Sequence, residues 1–290
     1  MQYRPTPLDF SRQVLVFVHI PKTAGSAICD ALFEQLGADR CLVVNDGKVA
    51  KIHESRLRKF AWGAGKSLRN AALRLRGVDP LLPKGVARAD LARLLLLEGH
   101  YALGDELKLG RKPLYLATVR DPVDRFLSDY YYRFDQRANW PAGKRERHAF
   151  WTYDVDRFVD HVYARRAWNE MNLQCRYLGG EDNFAAARRA VDDRVFLAAP
   201  SNRLNEFLQL LRSVLDLTST QAPRSNVGTA RRGKAPPSAE TLAKIRRMVG
   251  EDQLLFDYVS RVFDELFGAA ASGSPLIGGA NTSERAIGEI

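Results

Sequence analysis

Three short polar segments carry residue types that bind anions or transfer protons, and the first follows the apolar run Val14–Val18. It is the hexapeptide PKTAGS, which consists of Pro21, Lys22, Thr23, Ala24, Gly25 and Ser26. A run at helical spacing follows, so the pattern predicts a strand, a tight loop and a helix N-terminus. Such a junction binds phosphate through backbone N–H groups and the helix dipole, while Lys22 adds charge and the hydroxyls of Thr23 and Ser26 add donors. An ordinary strand-to-helix turn is the alternative.

The second segment starts with the apolar run Leu114–Val119 and ends in basic and hydroxyl residues. Its pattern R-D-P-x-x-R-x-x-S-x-Y consists of Arg120, Asp121, Pro122, Arg125, Ser128 and Tyr130. Pro122 suits the first turn of a helix with Asp121 as its N-cap, which places Ser128 about two turns beyond Arg120. An Arg side chain donates two parallel hydrogen bonds to a phosphate. A doubly wound sheet would bring both anion-binding segments together at the carboxyl ends of its strands.

The third segment lies between these two and offers a proton acceptor. The run Leu94–Leu97 predicts a buried strand, and Glu98, Gly99 and His100 follow it. His100 is the candidate general base, because imidazole exchanges protons readily near neutral pH. Glu98 is a second candidate, since on a continuing strand it would share a face with His100 and could act as the base or orient the imidazole. His19, just before the first segment, is expected to pack or cap.

Together the segments resemble the sulfotransferases that use 3′-phosphoadenosine-5′-phosphosulfate (PAPS), in particular the group related to heparan sulfate 2-O-sulfotransferase. The resemblance implies that PKTAGS holds the 5′-phosphosulfate and that Arg120 and Ser128 hold the 3′-phosphate. It further implies that Lys22 stabilises the leaving oxygen and that His100 activates a hydroxyl of the acceptor, with sugars favoured. The expected fold is α/β, a P-loop-like three-layer sandwich with a central parallel sheet of about four or five strands.

Two later segments match the family less firmly. The sequence NEMNLQCRYLGG resembles the pattern N-x-Q-x-R-x-L-x-G, with the matching residues Asn172, Gln174, Arg176, Leu178 and Gly180. The same stretch predicts an amphipathic helix that is closed by Gly179 and Gly180. The basic loop 224–234, with Arg231 and Arg232, is a candidate for the late loop that closes over the 3′-phosphate and adenine. An exposed loop would have the same composition.

Composition predicts one domain with an uneven charge. The chain has 290 residues, is 46% hydrophobic and carries a formal net charge of +10, which suffices for one large core. We expect a single domain over 1–268 and a disordered tail over 269–290. The interval 51–93 has 11 Lys and Arg against 3 Asp and Glu, so a basic helical insertion is predicted over 51–90. This insertion is either a solvated surface or a platform for an anionic acceptor or cofactor, whereas nucleic acid is less favoured without a recognisable module.

Cysteine usage and hydropathy limit the remaining possibilities. Cys29, Cys41 and Cys175 are widely spaced and odd in number, which predicts neither a disulfide framework nor a structural zinc site. No carboxylate cluster suggests bound Mg²⁺, so no metal is expected. No apolar stretch reaches the roughly 18–20 residues of a membrane span and no signal peptide is evident, which favours a cytoplasmic enzyme.

Two other classes of function stay open from the sequence. A kinase-like nucleotide phosphotransferase uses the same strand–loop–helix arrangement. It should, however, show Mg²⁺ ligands and the Walker A order of Gly before Lys, and PKTAGS lacks that order. A non-catalytic basic protein could use the same loops to hold polyanions. The sequence indicates neither the exact acceptor nor the oligomeric state.

Overall fold

A six-stranded sheet lies at the centre of the computed structural model, which describes residues 1–45, 48–52, 92–104, 110–140, 142–143, 150, 153–165, 171–222 and 236–272. The strands are β1 (Gln13–Val18), β2 (Cys41–Asn45), β3 (Lys48–Ile52), β4 (Leu96–Gly99), β5 (Lys112–Val119) and β6 (Val195–Pro200). Their order across the sheet is β3-β2-β4-β1-β5-β6. Every neighbouring pair is parallel except β2 with β3, which is antiparallel.

Helices pack on both faces of this sheet. They are α1 (Gly25–Leu36), α2 (Pro122–Gln136), α3 (Val155–Arg165), α4 (Leu173–Gly179), α5 (Phe184–Asp193), α6 (Leu204–Arg212), α7 (Ala239–Met248) and α8 (Gly250–Ser272). Helices α1 and α6 contribute to the core on one face, and α4 and α5 contribute to the core on the other. The result is the three-layer α/β arrangement with a central parallel sheet that the sequence predicts.

Strand β1 shows why this sequence forms a central strand. Its residues Leu15 and Phe17 enter one core, whereas Val14, Val16 and Val18 enter the other, and all five are buried. A strand that is covered on both faces requires such a continuous apolar run. The sheet therefore holds β1 between β4 and β5, and the polar residues that follow these three strands emerge at the same edge.

Apolar runs at Val14–Val18, Leu94–Leu97, Leu114–Val119 and Val195–Ala199 predict four strands, and all four are present, with bounds that differ by one or two residues. The sequence interpretation missed β2 and β3, where β2 extends the parallel part of the sheet to five strands and β3 adds an antiparallel edge. The amphipathic pattern over 238–267 predicts one or two helices, and this region consists of α7 and α8, with α8 continuing to Ser272. Most of the predicted basic insertion and the chain beyond 272 lie outside the described residues. None of the helices that the structure describes is both long and apolar enough to span a membrane.

Candidate active site

The loop PKTAGS connects β1 to α1 at the carboxyl edge of the sheet. Lys22 and Ala24 adopt left-handed backbone conformations, with φ of 69° and 65°, which non-glycine residues adopt rarely. Such alternation along the chain is typical of backbone nests that bind anions. Helix α1 starts without a side-chain cap and without an acidic residue in its first turn. Its positive end is therefore not neutralised by a side chain of its own.

Thr23 anchors this loop from the inside. Its buried hydroxyl donates a hydrogen bond to the carbonyl of Ile20 at 2.9 Å and lies 3.1 Å from Oγ1 of Thr118 on β5. The hydroxyl therefore fixes the loop to the neighbouring strand. The hydroxyl proton of Thr23 is thus donated within the protein, whereas the hydroxyl of Ser26 lies on the half-buried surface of α1.

Gly25 allows α1 to begin directly against the imidazole of His19. A Cβ atom on Gly25 would lie 2.5 Å from Cδ2 and 2.7 Å from Nε2 of His19, and 2.9 Å from Cε1 of Phe17. Both rings are buried, so they could not move aside without disturbing the core. The glycine of the loop is thus required by the packing beneath it.

Arg120 directly follows β5 and contacts the first loop. Its Nη1 atom donates a hydrogen bond to the carbonyl of Lys22 at 3.3 Å, across 98 residues of sequence. The contact arises because β1 and β5 are parallel neighbours, with Val18 opposite Ala117. The two candidate anion-binding segments therefore meet at the carboxyl edge of the sheet, which is where open α/β sheets bind ligands.

The Lys22 side chain extends from the loop toward α2. Its Nζ atom lies 4.2 Å from the ring centroid of Tyr132, a half-exposed residue of that helix. The pKa of Lys22 is lowered overall, mainly because the ammonium is partly buried. The charge of Asp129 opposes this change, and the charge of Arg120 adds to it. A partly desolvated ammonium interacts more strongly with a nearby anion than a fully hydrated one does.

Helix α2 begins as predicted and carries Ser128. Pro122 occupies the first turn, and the side chain of Asp121 accepts a hydrogen bond from the N–H of Asp124 at 2.8 Å. Ser128 and Tyr132 are four residues apart and share a helix face. Because Tyr132 contacts Lys22, the face that carries Ser128 is turned toward the first loop.

His100 lies just beyond β4 and is exposed. Its Nδ1 atom is 2.7 Å from the carbonyl oxygen of His19. Since a carbonyl oxygen only accepts, this contact assigns the proton to Nδ1 and leaves the lone pair of the neutral ring on Nε2. The ring is thereby held in the tautomer that can take up a proton at Nε2.

Glu98 pairs with His19 in the structure. Its Oε1 atom lies 2.5 Å from Nδ1 of His19, and both side chains are buried. The rings of His19 and His100 have centroids 4.3 Å apart and planes inclined by 33°. Of the two roles predicted for Glu98, an orienting role fits this geometry better than that of a base, because Glu98 contacts the ring of His19, which lies against the ring of His100.

His19 is the member of this group that the sequence interpretation placed in packing or capping. It follows β1 immediately, and Val18 pairs with Gly99 in the adjacent β4. The ends of parallel neighbouring strands are close in space, so His19 and Glu98 could have been paired from the sheet order. Sheet order depends on contacts distant in sequence, which local patterns do not encode.

His19, Glu98 and Cys29 also form the one group of potential metal ligands found among the described residues, with ligand atoms within 4.8 Å of one another. Two ligands of a tetrahedral zinc lie roughly 3.3 Å apart, whereas His19 and Glu98 approach at the distance of a hydrogen bond. Burial raises the pKa of the Cys29 thiol well above its ordinary value, which opposes the thiolate that a metal needs. The geometry fits a hydrogen-bonded pair, and the absence of a metal stays a prediction.

Gln174, from the segment N-x-Q-x-R, bonds the backbone of Arg120. The N–H of Arg120 donates to Oε1 of Gln174 at 2.8 Å, and Nε2 of Gln174 donates to the carbonyl of Arg120 at 2.9 Å. The helix in this segment ends as predicted, with Gly180 in the left-handed conformation. The segment therefore contacts the second anion-binding segment through its most buried polar side chain.

One predicted part of the site is outside the described residues. The late basic loop, including Arg231 and Arg232, falls within 223–235. Its role stays a prediction.

Comparison with known proteins finds similar sulfotransferases, although no protein-family model matches the chain. The chain is 23% identical over 202 residues to heparan sulfate 2-O-sulfotransferase hst-2 of Caenorhabditis elegans, which covers 60% of each chain. It is 26% and 25% identical over 166 residues to heparan sulfate 2-O-sulfotransferase 1 of Xenopus laevis and of Gallus gallus, covering 51% of this chain and 47% of each relative. The chain thus spans about half to three fifths of these relatives' length. The resemblance to the heparan sulfate 2-O-sulfotransferase group, predicted from the motifs, is confirmed.

Proposed function

We propose that this protein is a sulfotransferase that moves the sulfuryl group of PAPS to a hydroxyl group of a carbohydrate acceptor. The observation that carries the proposal is the contact of Arg120 with the carbonyl of Lys22, because it joins two anion-binding segments at one edge of the sheet. The relatives named above support the reaction and the class of acceptor.

The described residues fit a nucleotide that carries an anionic group at each end. Pro21 and the backbone of Thr23–Ser26 would hold the 5′ end at the N-terminus of α1. Arg120 and Ser128 would hold the 3′-phosphate, and Arg231 and Arg232 are proposed to complete that end. When bound, PAPS supplies the activated sulfuryl group.

Lys22 is proposed to stabilise negative charge at the 5′ end during transfer. Its ammonium is fixed near Tyr132 and is partly desolvated, so it needs little reorganisation when charge develops. By analogy with phosphoryl transfer, positioning and electrostatic stabilisation make up most of the catalysis.

His100 is proposed to take the proton of the acceptor hydroxyl at Nε2. Its exposure leaves the ring within reach of an acceptor, and its Nδ1 contact with His19 sets the required tautomer. Glu98 would fix the ring of His19 beneath it. A base and the group that orients it are the usual elements of general base catalysis.

A kinase-like reaction has less support from the site. Asp129 is the carboxylate that acts on Lys22, and it lies 3.0 Å from Arg133 in an ion pair. This pairing opposes its use as a Mg²⁺ ligand, because a metal would have to displace the guanidinium. A polyanion-binding protein without turnover is the other alternative, and such a protein would bind polyanions but transfer no label from a donor.

Transfer of radiolabelled sulfate from PAPS to a panel of glycans, lipids, peptides and small alcohols tests the proposal. We expect label on a carbohydrate acceptor, lost in His100→Ala and retained in His161→Ala, which alters a histidine on α3. Transfer of label from the terminal phosphate of ATP instead would indicate a phosphotransferase. Binding of polyanions without transfer from either donor would indicate a binding protein.

A further inference from the structure

The backbone of Arg120 lies just past the point where the sheet stops providing hydrogen bonds. Strand β5 pairs with β6 as far as Val119, opposite Pro200. Backbone N–H and C=O groups that leave a sheet at a partly buried position still need partners. The carboxamide of Gln174 supplies both, at 2.8 and 2.9 Å, and so acts as a short substitute for a neighbouring strand.

Gln174 is itself held by two helices that cap each other. The carboxylate of Asp252, in the first turn of α8, accepts hydrogen bonds from the N–H groups of Gln174 at 3.1 Å and Cys175 at 2.8 Å. The side chain of Asn172, at the N-terminus of α4, accepts from the N–H of Asp252 at 3.3 Å. Each helix therefore satisfies N–H groups that the other leaves unpaired at its start.

A buried charge extends this network to α2. Burial raises the pKa of Asp252, whereas the two N–H groups and the charge of Arg125 oppose that change. Arg125 is fully buried, and its guanidinium has no hydrogen-bond partner in the described part of the chain. A buried cation without hydrogen bonds is costly unless an anion lies near, and the charge of Arg125 favours the ionised form of Asp252. Arg125 lies on the helix that also carries Ser128.

We infer that Gln174 is a positioning residue that holds Arg120 in place to bind the 3′-phosphate. The inference rests on the proposed function. It assigns to Gln174 no contact with the nucleotide. Gln174 acts because it fixes the peptide of Arg120, from which the guanidinium extends to the carbonyl of Lys22. Asp252 bonds the backbone N–H of Gln174, and Asn172 bonds the backbone N–H of Asp252, so the position of Gln174 depends on both helices.

A double-mutant cycle with nucleotide binding as its readout tests this role. Calorimetry would give the affinities of the wild type, Gln174→Met, Arg120→Ala and the double variant for adenosine 3′,5′-bisphosphate and for AMP. Methionine keeps the approximate volume of glutamine and removes both hydrogen bonds. We expect Gln174→Met to weaken bisphosphate binding about tenfold, to leave AMP binding within about twofold, and to have no further effect once Arg120 is absent.

Gln35→Met is the matched control. Its side chain also bonds backbone groups across elements, with Nε2 donating to Ser219 at 3.0 Å and Oε1 accepting from the N–H of the same residue at 2.8 Å. It is not part of the site, so bisphosphate affinity should not change. If Gln174→Met does not fold, Gln174→Glu keeps the volume and the acceptor for the N–H of Arg120 but places an oxygen opposite its carbonyl, and a selective loss for the bisphosphate is again expected.

Three outcomes would overturn the inference. Equal losses of affinity for both nucleotides would mean that Gln174 has a general structural role. Additive losses of affinity in the double variant would mean that Gln174 does not act through Arg120. In both cases a wild type that distinguishes the two nucleotides would leave the proposed function intact. A wild type that binds AMP as tightly as the bisphosphate would contradict the proposed function, and this inference with it.

Discussion

The two ends of the candidate nucleotide site are built in different ways. The 5′ end is one continuous segment, in which the left-handed residues Lys22 and Ala24 shape the loop and Thr23 anchors it. The other end is proposed to join β5, α2 and α4 through the side chains of Arg120, Ser128 and Gln174, of which Gln174 bonds the backbone of Arg120. One end is local in sequence, and the other is assembled from distant segments.

This difference suggests that the two ends contribute different properties, one to general anion binding and the other to nucleotide selectivity. A loop that offers backbone N–H groups and a helix dipole binds many phosphates and sulfates alike. An arginine held in a fixed place discriminates between nucleotides that have a 3′-phosphate and those that do not. We therefore expect changes at the 5′ end to act mainly on turnover and changes at the 3′ end to act mainly on selectivity.

The largest effect is expected at neither end. His100→Ala should lower turnover by about 10²–10⁴-fold, while binding of adenosine 3′,5′-bisphosphate should not change, because His100 is proposed to contact the acceptor and not the nucleotide. The rate of the wild type should fall as acid protonates the imidazole, and that acid limb should disappear in the variant. Rates across pH and calorimetry provide the measurements. Near-normal turnover of the His100→Ala variant would indicate Glu98 as the base. A variant that does not fold would indicate a structural role for His100.

At the 5′ end, Lys22→Ala should lower turnover by about 10²–10³-fold and cofactor affinity by less. The reason is that the ammonium matters most when negative charge develops during transfer. Steady-state kinetics with labelled PAPS would separate kcat from binding. A loss of affinity with turnover intact at saturation would make Lys22 a binding residue only.

At the 3′ end, Arg120→Ala should weaken binding of adenosine 3′,5′-bisphosphate by roughly 2–4 kcal/mol. Binding of AMP should change little, since AMP lacks the group that Arg120 is proposed to bind. Calorimetric titration of both nucleotides would measure the difference. Similar losses for the two would remove the proposed contrast between the ends.

The smallest effect concerns the packing under the loop. Gly25→Ala should lower the free energy of unfolding by roughly 1–3 kcal/mol, because the new Cβ would overlap the rings of His19 and Phe17. Chemical denaturation would measure it. Gly268→Ala is the control, since a Cβ there meets no atom within 4 Å and alanine is the better helix former. Equal stability of Gly25→Ala and the wild type would show that the loop adapts freely.

Local patterns predicted most of the elements, and the expected parallel sheet predicted that the two anion-binding segments meet, but other contacts between distant residues were missed. The run Val14–Val18, the cap at Asp121 and the end of α4 at Gly180 follow from patterns within a few residues. The pair of His19 with Glu98 and the bonds of Gln174 with Arg120 span 79 and 54 residues. Such contacts depend on strand order and helix packing, which periodicity does not encode. The short strand β2 was missed for the same reason, since its place beside β4 is set by the sheet.

Thermal unfolding of the wild type with three nucleotides tests the central claim most directly. A ligand that binds only the native state stabilises it by roughly 2.7 kcal/mol when the ligand concentration is about 100 times its Kd. With equal concentrations of adenosine 3′,5′-bisphosphate, AMP and ATP·Mg²⁺, we expect the bisphosphate to raise Tm the most. A larger shift with ATP·Mg²⁺, or equal shifts with all three, would contradict the assignment of a 3′-phosphate site and the sulfotransferase function built on it.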